Sequence, residues 1–143
     1  MAYADCRSHI ETVLEGVAIT SPLALSIAKV YDDPPMSLED VPCFILFGSS
    51  GRTNWSLGGV STAGMEEHEE RCGLIVHDED FGRGAELVRA FRLATLTAFQ
   101  NDQGLGGHGI VSAFRWEAPE PFTYAGRHYV GQDFFVAFTV KVS

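Results

Sequence analysis

The run "DFFVAFTVKV", residues 133–142, constrains the fold of this chain more than any other. Phe134, Val136, Phe138, Val140 and Val142 alternate with Phe135, Ala137, Thr139 and Lys141. A period of two places the first set on one face of an extended strand, whereas a helix would scatter it. The chain must therefore supply a sheet for this strand to join. It must also supply an apolar layer to cover the Phe/Val face.

Candidates for both are legible. "IVSAFRWE", residues 110–117, reads as a strand, joined to the final strand "HYVGQDFFVAFTVKVS" by a loop containing Pro119 and Pro121. "PCFILF", residues 42–47, is a continuous apolar run of the kind found in strands buried on both faces. "LALSIAKVY", residues 23–31, has Leu23, Leu25 and Ile27 at period two, and the prolines of "DDPP" end it. For the covering layer, "FGRGAELVRAFRLATLTAFQN" is the clearest helix. Leu87, Val88, Phe91, Ala94, Thr95 and Ala98 form its stripe, Arg89 and Arg92 lie off it, and Gly104 follows. A first helix is predicted from Tyr3, Cys6, Ile10, Val13, Leu14 and Val17, ending near Gly16.

Between these elements lies "EEHEERCGLIVHDED", residues 66–80. As a helix it would set His68 and Cys72 one turn apart, able to share a zinc ion. Gly73, Ile75 and Val76 disfavour that, and Cys72, Leu74 and Val76 alternate as a strand does. On a strand His68 and Cys72 stand about 13 Å apart, too far for one metal. The acidic residues then become charged strand ends, with Asp78 or Asp80 placed to favour the dipole of the following helix.

Other chemical signals are faint. "GVSTA" approaches the nucleophile elbow but has Ala63 where a glycine belongs, so Ser61 would need His77 or His108 brought to it by the fold. "GLGGHG" follows a helix and precedes a strand, the reverse of a phosphate cradle. The glutamates of 66–70 lack the alternating oxygen ligands and turn glycine of a calcium loop. His9 and His128 stand alone, as surface or interface histidines do. No cofactor and no metal are expected.

The balance of 19 acidic against 10 basic residues, formally −9, is the wrong sign for neutralising phosphates, so tight binding of DNA or RNA is not expected. Three widely spaced cysteines suit a reducing cytoplasm. The start "MAYADCRSHIE" is not that of a secretory signal, and no apolar run approaches the ~20 residues of a membrane helix. At 143 residues one domain, 1–143, is expected. The stretch "GSSGRTNWSLGGVSTAG", residues 48–64, reads as a long Gly-rich loop, and Arg52, Trp55, Leu57 and Val60 on it are candidate contact residues.

The order helix, strand, strand, long loop, strand, helix, strand, strand resembles that of the tail terminator (tail completion) proteins of long-tailed bacteriophages. "VPCFILF", "EERCGLIVHD", "AELVRAFRLATLTAF" and "DFFVAFTVKV" carry the resemblance. It implies an α+β fold: a mixed, largely antiparallel sheet with two main helices packed on one face. It also implies a structural, non-enzymatic virion protein of the tail or neck, assembled in the host cytoplasm. Such a protein caps the tail tube as a ring, hexameric when assembled, ends tube polymerisation and forms the head–tail joining surface. Its partners would be further copies of itself, the tail tube protein and the head–tail connector proteins, with phage DNA passing through unbound. Glu66, Glu67, Glu69 and Glu70 would then line the channel. The rival readings are another neck or head-completion protein, and a small hydrolase-like or ligand-binding domain.

Overall fold

The computed structural model describes residues 2–38, 40–54, 65–77 and 81–141. Helix α1 (Ala2–Glu15) leads into two short strands, β1 (Ala18–Ile19) and β2 (Leu25–Ser26), which pair with each other. Next come β3 (Lys29–Tyr31), β4 (Cys43–Asn54), β5 (Met65–Val76), helix α2 (Phe81–Gln100), β6 (Ile110–Trp116), β7 (Glu120–Tyr124) and β8 (Arg127–Lys141). The main sheet runs β3-β4-β5-β8-β6, with β7 paired to the first part of β8. Among the described residues only β3 and β4 pair in parallel. This is the α+β architecture expected, a mixed and mostly antiparallel sheet.

Both helices lie against one face, and their buried stripes explain why. Cys6, Ile10 and Leu14 of α1 and Leu87, Val88, Phe91 and Phe99 of α2 are buried. They share one core with Phe44 and Leu46 of β4, Cys72, Leu74 and Val76 of β5, and Phe134, Val136, Phe138 and Val140 of β8. As far as Val140 the alternating run thus buries the face its period assigned to it, and Val142 lies outside the described residues. Thr95 fits inside α2 because its hydroxyl donates to the Phe91 carbonyl at 2.7 Å. Ala94 and Ala98 sit at the margin of the helical stripe, half-buried. Among the described residues no helix is long and apolar enough to cross a membrane.

Among the described residues the opposite face is covered at one end only. Leu38, Cys43, Ile45, Ile75 and Tyr129 form a second cluster there, with Tyr31, Val41, Phe122 and Tyr124 around it. Of the apolar run 42–47, residues 43–46 are accordingly buried on both faces, whereas Phe47, at the bulge, is exposed.

Three expectations need correction. The stretch 23–31 is two strands, because the chain changes partner from β1 to β4 between Ser26 and Lys29, and Leu23 is left exposed. The Gly-rich segment is not a loop from residue 48: β4 continues to Asn54, paired with β5 down to Asn54↔Met65. Its glycines serve the strand. Gly48, at φ +109°, follows the break in register between Leu46 and Gly48. At Gly51 a Cβ would meet the Glu67 carbonyl oxygen at 2.1 Å. Finally, the Pro-containing link before the last strand holds β7, where Pro121 lies on an edge strand that does not need its N–H.

Candidate assembly surface

Beyond the second cluster, the sheet face opposite the helices is open among the described residues, and the registers arrange it in rows across four strands. Gly48, Arg71, Phe135 and Arg115 share one row, with Phe47 beside Gly48 at the bulge. Ser50, Glu69, Ala137 and Ala113 form the next. Arg52, Glu67, Thr139 and Ile110 form the third.

Each arginine in the first row holds an aromatic ring and a carboxylate. The Arg71 guanidinium lies 4.3 Å from the centre of the Phe47 ring and 3.0 Å from Asp133 Oδ2. The Arg115 guanidinium lies 3.8 Å from the Phe135 centroid, and its Nη2 is 2.8 Å from Glu69 Oε1. Arg52 pairs with Glu67 in the third row. The hydrogen bonds that Arg115 and Arg52 donate to Glu69 and Glu67 push their already high pKa values further up. Exposed cation–π contacts contribute about 0.5–1 kcal/mol each, so these rows order the side chains more than they stabilise the fold. Apolar surface remains between them: Phe47 is 37% exposed and Ile110 65%, whereas the exposed Trp116 pairs with Phe134 on the helix side, where the Arg92 guanidinium lies 4.4 Å from its ring centre. A shallow hollow of about 330 Å³ separates this face from β7, bounded by Phe47, Arg71, Phe122 and Asp133.

The four glutamates proposed to line a channel do not form one surface. Alternation along β5 sends Glu67 and Glu69 to the open face, where arginines neutralise them, and Glu66 and Glu70 to the helix side. Glu70 is fully buried. Tyr3 Oη donates to its Oε1 at 2.7 Å, the Gly48 N–H donates to its Oε2 at 2.8 Å, and Arg7 Nε stands 3.7 Å away. Burial, and then Glu70 itself, push the Tyr3 phenol above its usual range. Glu70 therefore cannot line a channel: it is an internal tie between α1, β4 and β5.

His68 lies beside this tie. Its ring packs against those of Tyr3 and Phe138, at centroid distances of 4.6 and 5.3 Å, and these two rings also meet each other at 6.2 Å. Nε2 is 2.8 Å from Glu66 Oε1 and Nδ1 is 3.2 Å from Ser49 Oγ. A hydroxyl, an imidazole and a carboxylate in a line have the connectivity of a hydrolase relay. Two aromatic rings pack against this imidazole, and its side chain is only 16% exposed. Cys72 lies on the same side of β5 but is wholly buried, and burial pushes its thiol well above the usual range. Burial likewise raises the Cys43 thiol to about 12, and such thiols are poor nucleophiles. Among the described residues no three His, Cys, Asp or Glu side chains gather as metal ligands.

The remaining candidates are dispersed. His77 follows Val76, paired with Val130, and His108 precedes Ile110, paired with Thr139. Those two positions of β8 are about 30 Å apart at ~3.3 Å per residue, so the two histidines do not share a site. His77 meets the edge of Tyr129, and His108 lies near His9, which pairs with Asp102. His128 sits 3.4 Å from Thr123 Oγ1 in the β7–β8 hairpin. Arg52 lies on β4 rather than on a loop. Trp55, Leu57, Val60, Ser61, Asp78 and Asp80 fall outside the described residues. No family model matches the chain, and no curated protein is similar to it in sequence.

The contacts that organise the open face, Phe47, Arg71, Phe135 and Arg115, were not candidates from sequence. Periodicity assigns Phe135 to the face opposite Phe134 and Val136. Which side chains neighbour it across strands depends on register, and two bulges set that register.

Proposed function

We propose that this chain is a structural protein of a phage tail or neck, of the tail terminator kind, which joins copies of itself into a ring on the end of the tail tube. The observation that supports this reading is the asymmetry of the sheet. Its helix side is closed by a full core, while among the described residues half of its other side is an open face carrying Phe47 and Ile110, both partly exposed, beside paired charges. Aromatic residues and arginine with local charge balance are typical of interface centres. Three arginines against Glu67, Glu69 and Asp133 leave this face without a cationic excess. It is therefore suited to stand near DNA without holding the phosphates. Segment 55–64, with Trp55, Leu57 and Val60, joins β4 to β5 and is assigned to the same contacts.

Electron microscopy of the purified protein, alone and mixed with polymerising tail tubes, tests the reading. Rings seated on tube ends, with tube growth arrested, are expected. Tubes that lengthen at an unchanged rate and carry no cap would overturn it. The Ser49–His68–Glu66 line favours the rival hydrolase reading, and a fluorophosphonate probe that labels Ser49 would establish that instead.

A further inference from the structure

The two edges of the four-stranded sheet β4-β5-β8-β6 match each other. On one side, β3 pairs with β4 only at Cys43, Phe44 and Ile45, so the outer edge of β4 from Phe47 to Asn54 has no strand partner among the described residues. On the other side, the outer edge of β6, Ile110–Trp116, has none either. The β6 run is the shorter, because the Val111 N–H donates to the Gln103 carbonyl at 2.7 Å and leaves Ser112–Trp116 free. Neither contains the Lys or Pro with which exposed edges are commonly blunted, whereas β7 carries Pro121. Each run has one bulge, and the rows re-form beyond it, at Ser50 and Arg52 on one edge and at Ala113 and Ile110 on the other.

We infer that the β4 edge of one copy pairs with the β6 edge of the next, making one antiparallel sheet across subunits; this rests on the ring reading above. Three features of the molecule point to a second copy as the occupant. The first is strand direction. Successive strands β4, β5, β8 and β6 alternate in sense, and cyclic symmetry preserves sense, so β6 meets the next β4 antiparallel. The second is the row pattern. Phe47, Arg71, Phe135 and Arg115 alternate aromatic with cation, and Phe47 of the next copy beside Arg115 continues the alternation. The third is closure. The two edges differ, so the contact is head-to-tail, the kind that generates rings, whereas β4 pairing with β4 would stop at two copies and leave both β6 edges bare.

Disulfide trapping tests this. Ser50→Cys is co-expressed in turn with Arg115→Cys, Ala113→Cys and Ile110→Cys, then oxidised in assembled protein. All four positions are exposed, and the native Cys6, Cys43 and Cys72 are buried. Facing residues of an antiparallel pair have Cα atoms about 4.5–5.5 Å apart, within disulfide range. A mixed crosslink is expected, strongest with Ala113→Cys, the row-mate of Ser50, and absent from each single variant alone. Self-crosslinking of one variant, or tube-capping rings in which none of the three pairs crosslinks, overturns the edge pairing and leaves the ring reading standing. A Ser50→Cys adduct formed only with the tube protein assigns the edge to another occupant and also overturns it. Protein that is monomeric at every concentration and absent from tube ends overturns both.

Discussion

The β4–β5 hairpin behaves differently at its two ends. At Cys43–Leu46 and Leu74–Val76 both faces are buried, and the side chains are almost all apolar. At Gly48–Asn54 and Met65–Arg71 the same strands keep helices or internal ties on one side and turn charge and aromatic rings outward on the other. Backbone pairing is continuous through both ends apart from one bulge. A strand therefore does not carry one role along its length. The side chains decide, two by two, where the core ends and the surface begins.

Truncating the closed end should have the largest effect. Phe44 is fully buried and its ring centre lies 6.0 Å from that of Phe134. Phe44→Ala is expected to lower stability by about 3–5 kcal/mol in urea titrations. A cost below about 1 kcal/mol would mean that the closed end is not the centre of the core. The tie at Glu70 comes next. Glu70→Ala strands the Gly48 N–H and the Tyr3 hydroxyl, with an expected loss of about 3 kcal/mol, and Glu70→Gln should recover part of it. A Glu70→Ala variant as stable as the parent would place this carboxylate on the surface after all.

The open end should reverse the balance. Arg71→Ala removes an exposed ion pair and a cation–π contact, so unfolding should shift by about 1 kcal/mol or less. Capping of tail tubes, scored by microscopy, should fall sharply. A large stability loss with normal capping would erase the distinction between the two ends.

The helix layer offers a smaller, pH-dependent control. Hydrogen bonds from His9 and from the Gly106 N–H hold the Asp102 carboxyl below its ordinary 3.8. A depressed carboxylate contributes stability above its unfolded pKa and loses it as pH falls through the folded one. The small difference in urea midpoint between the parent and Asp102→Asn should therefore be constant near neutrality and close only below about pH 4. A gap that widens in acid would contradict this. The smallest effect is expected at Ser49: no fluorophosphonate labelling, and no change in capping for Ser49→Ala.

Much of the closed end was readable from the sequence. The stripes of α1 and α2, the apolar run at 42–47 as far as Leu46 and the alternation in β8 as far as Val140 are local signals, and each is largely buried as its period required. The open end was not readable, for two physical reasons. Glycines at 48 and 51 look like loop residues, yet a bulge and a close approach to the Glu67 carbonyl call for them within a strand. The acidic run at 66–70 looks like one patch, yet strand alternation splits it and distant arginines neutralise its outer half. Pro121 similarly hid β7, because a proline argues against a central strand but not against an edge.

The position of β8 also bears on how the sheet comes together. It lies between β5 on one side and β6 and β7 on the other, and all three precede it in the chain. Until β8 inserts, the β4–β5 hairpin and the β6–β7 segment are separate pieces with no ladder joining them. The pairing of Met65 with Lys141 closes a long loop before any contact offsets its entropy. Folding should therefore be slow, with a rate-limiting step that docks β8 as a unit. Substitutions in β8 such as Val136→Ala should slow refolding more than equally destabilising ones in α1.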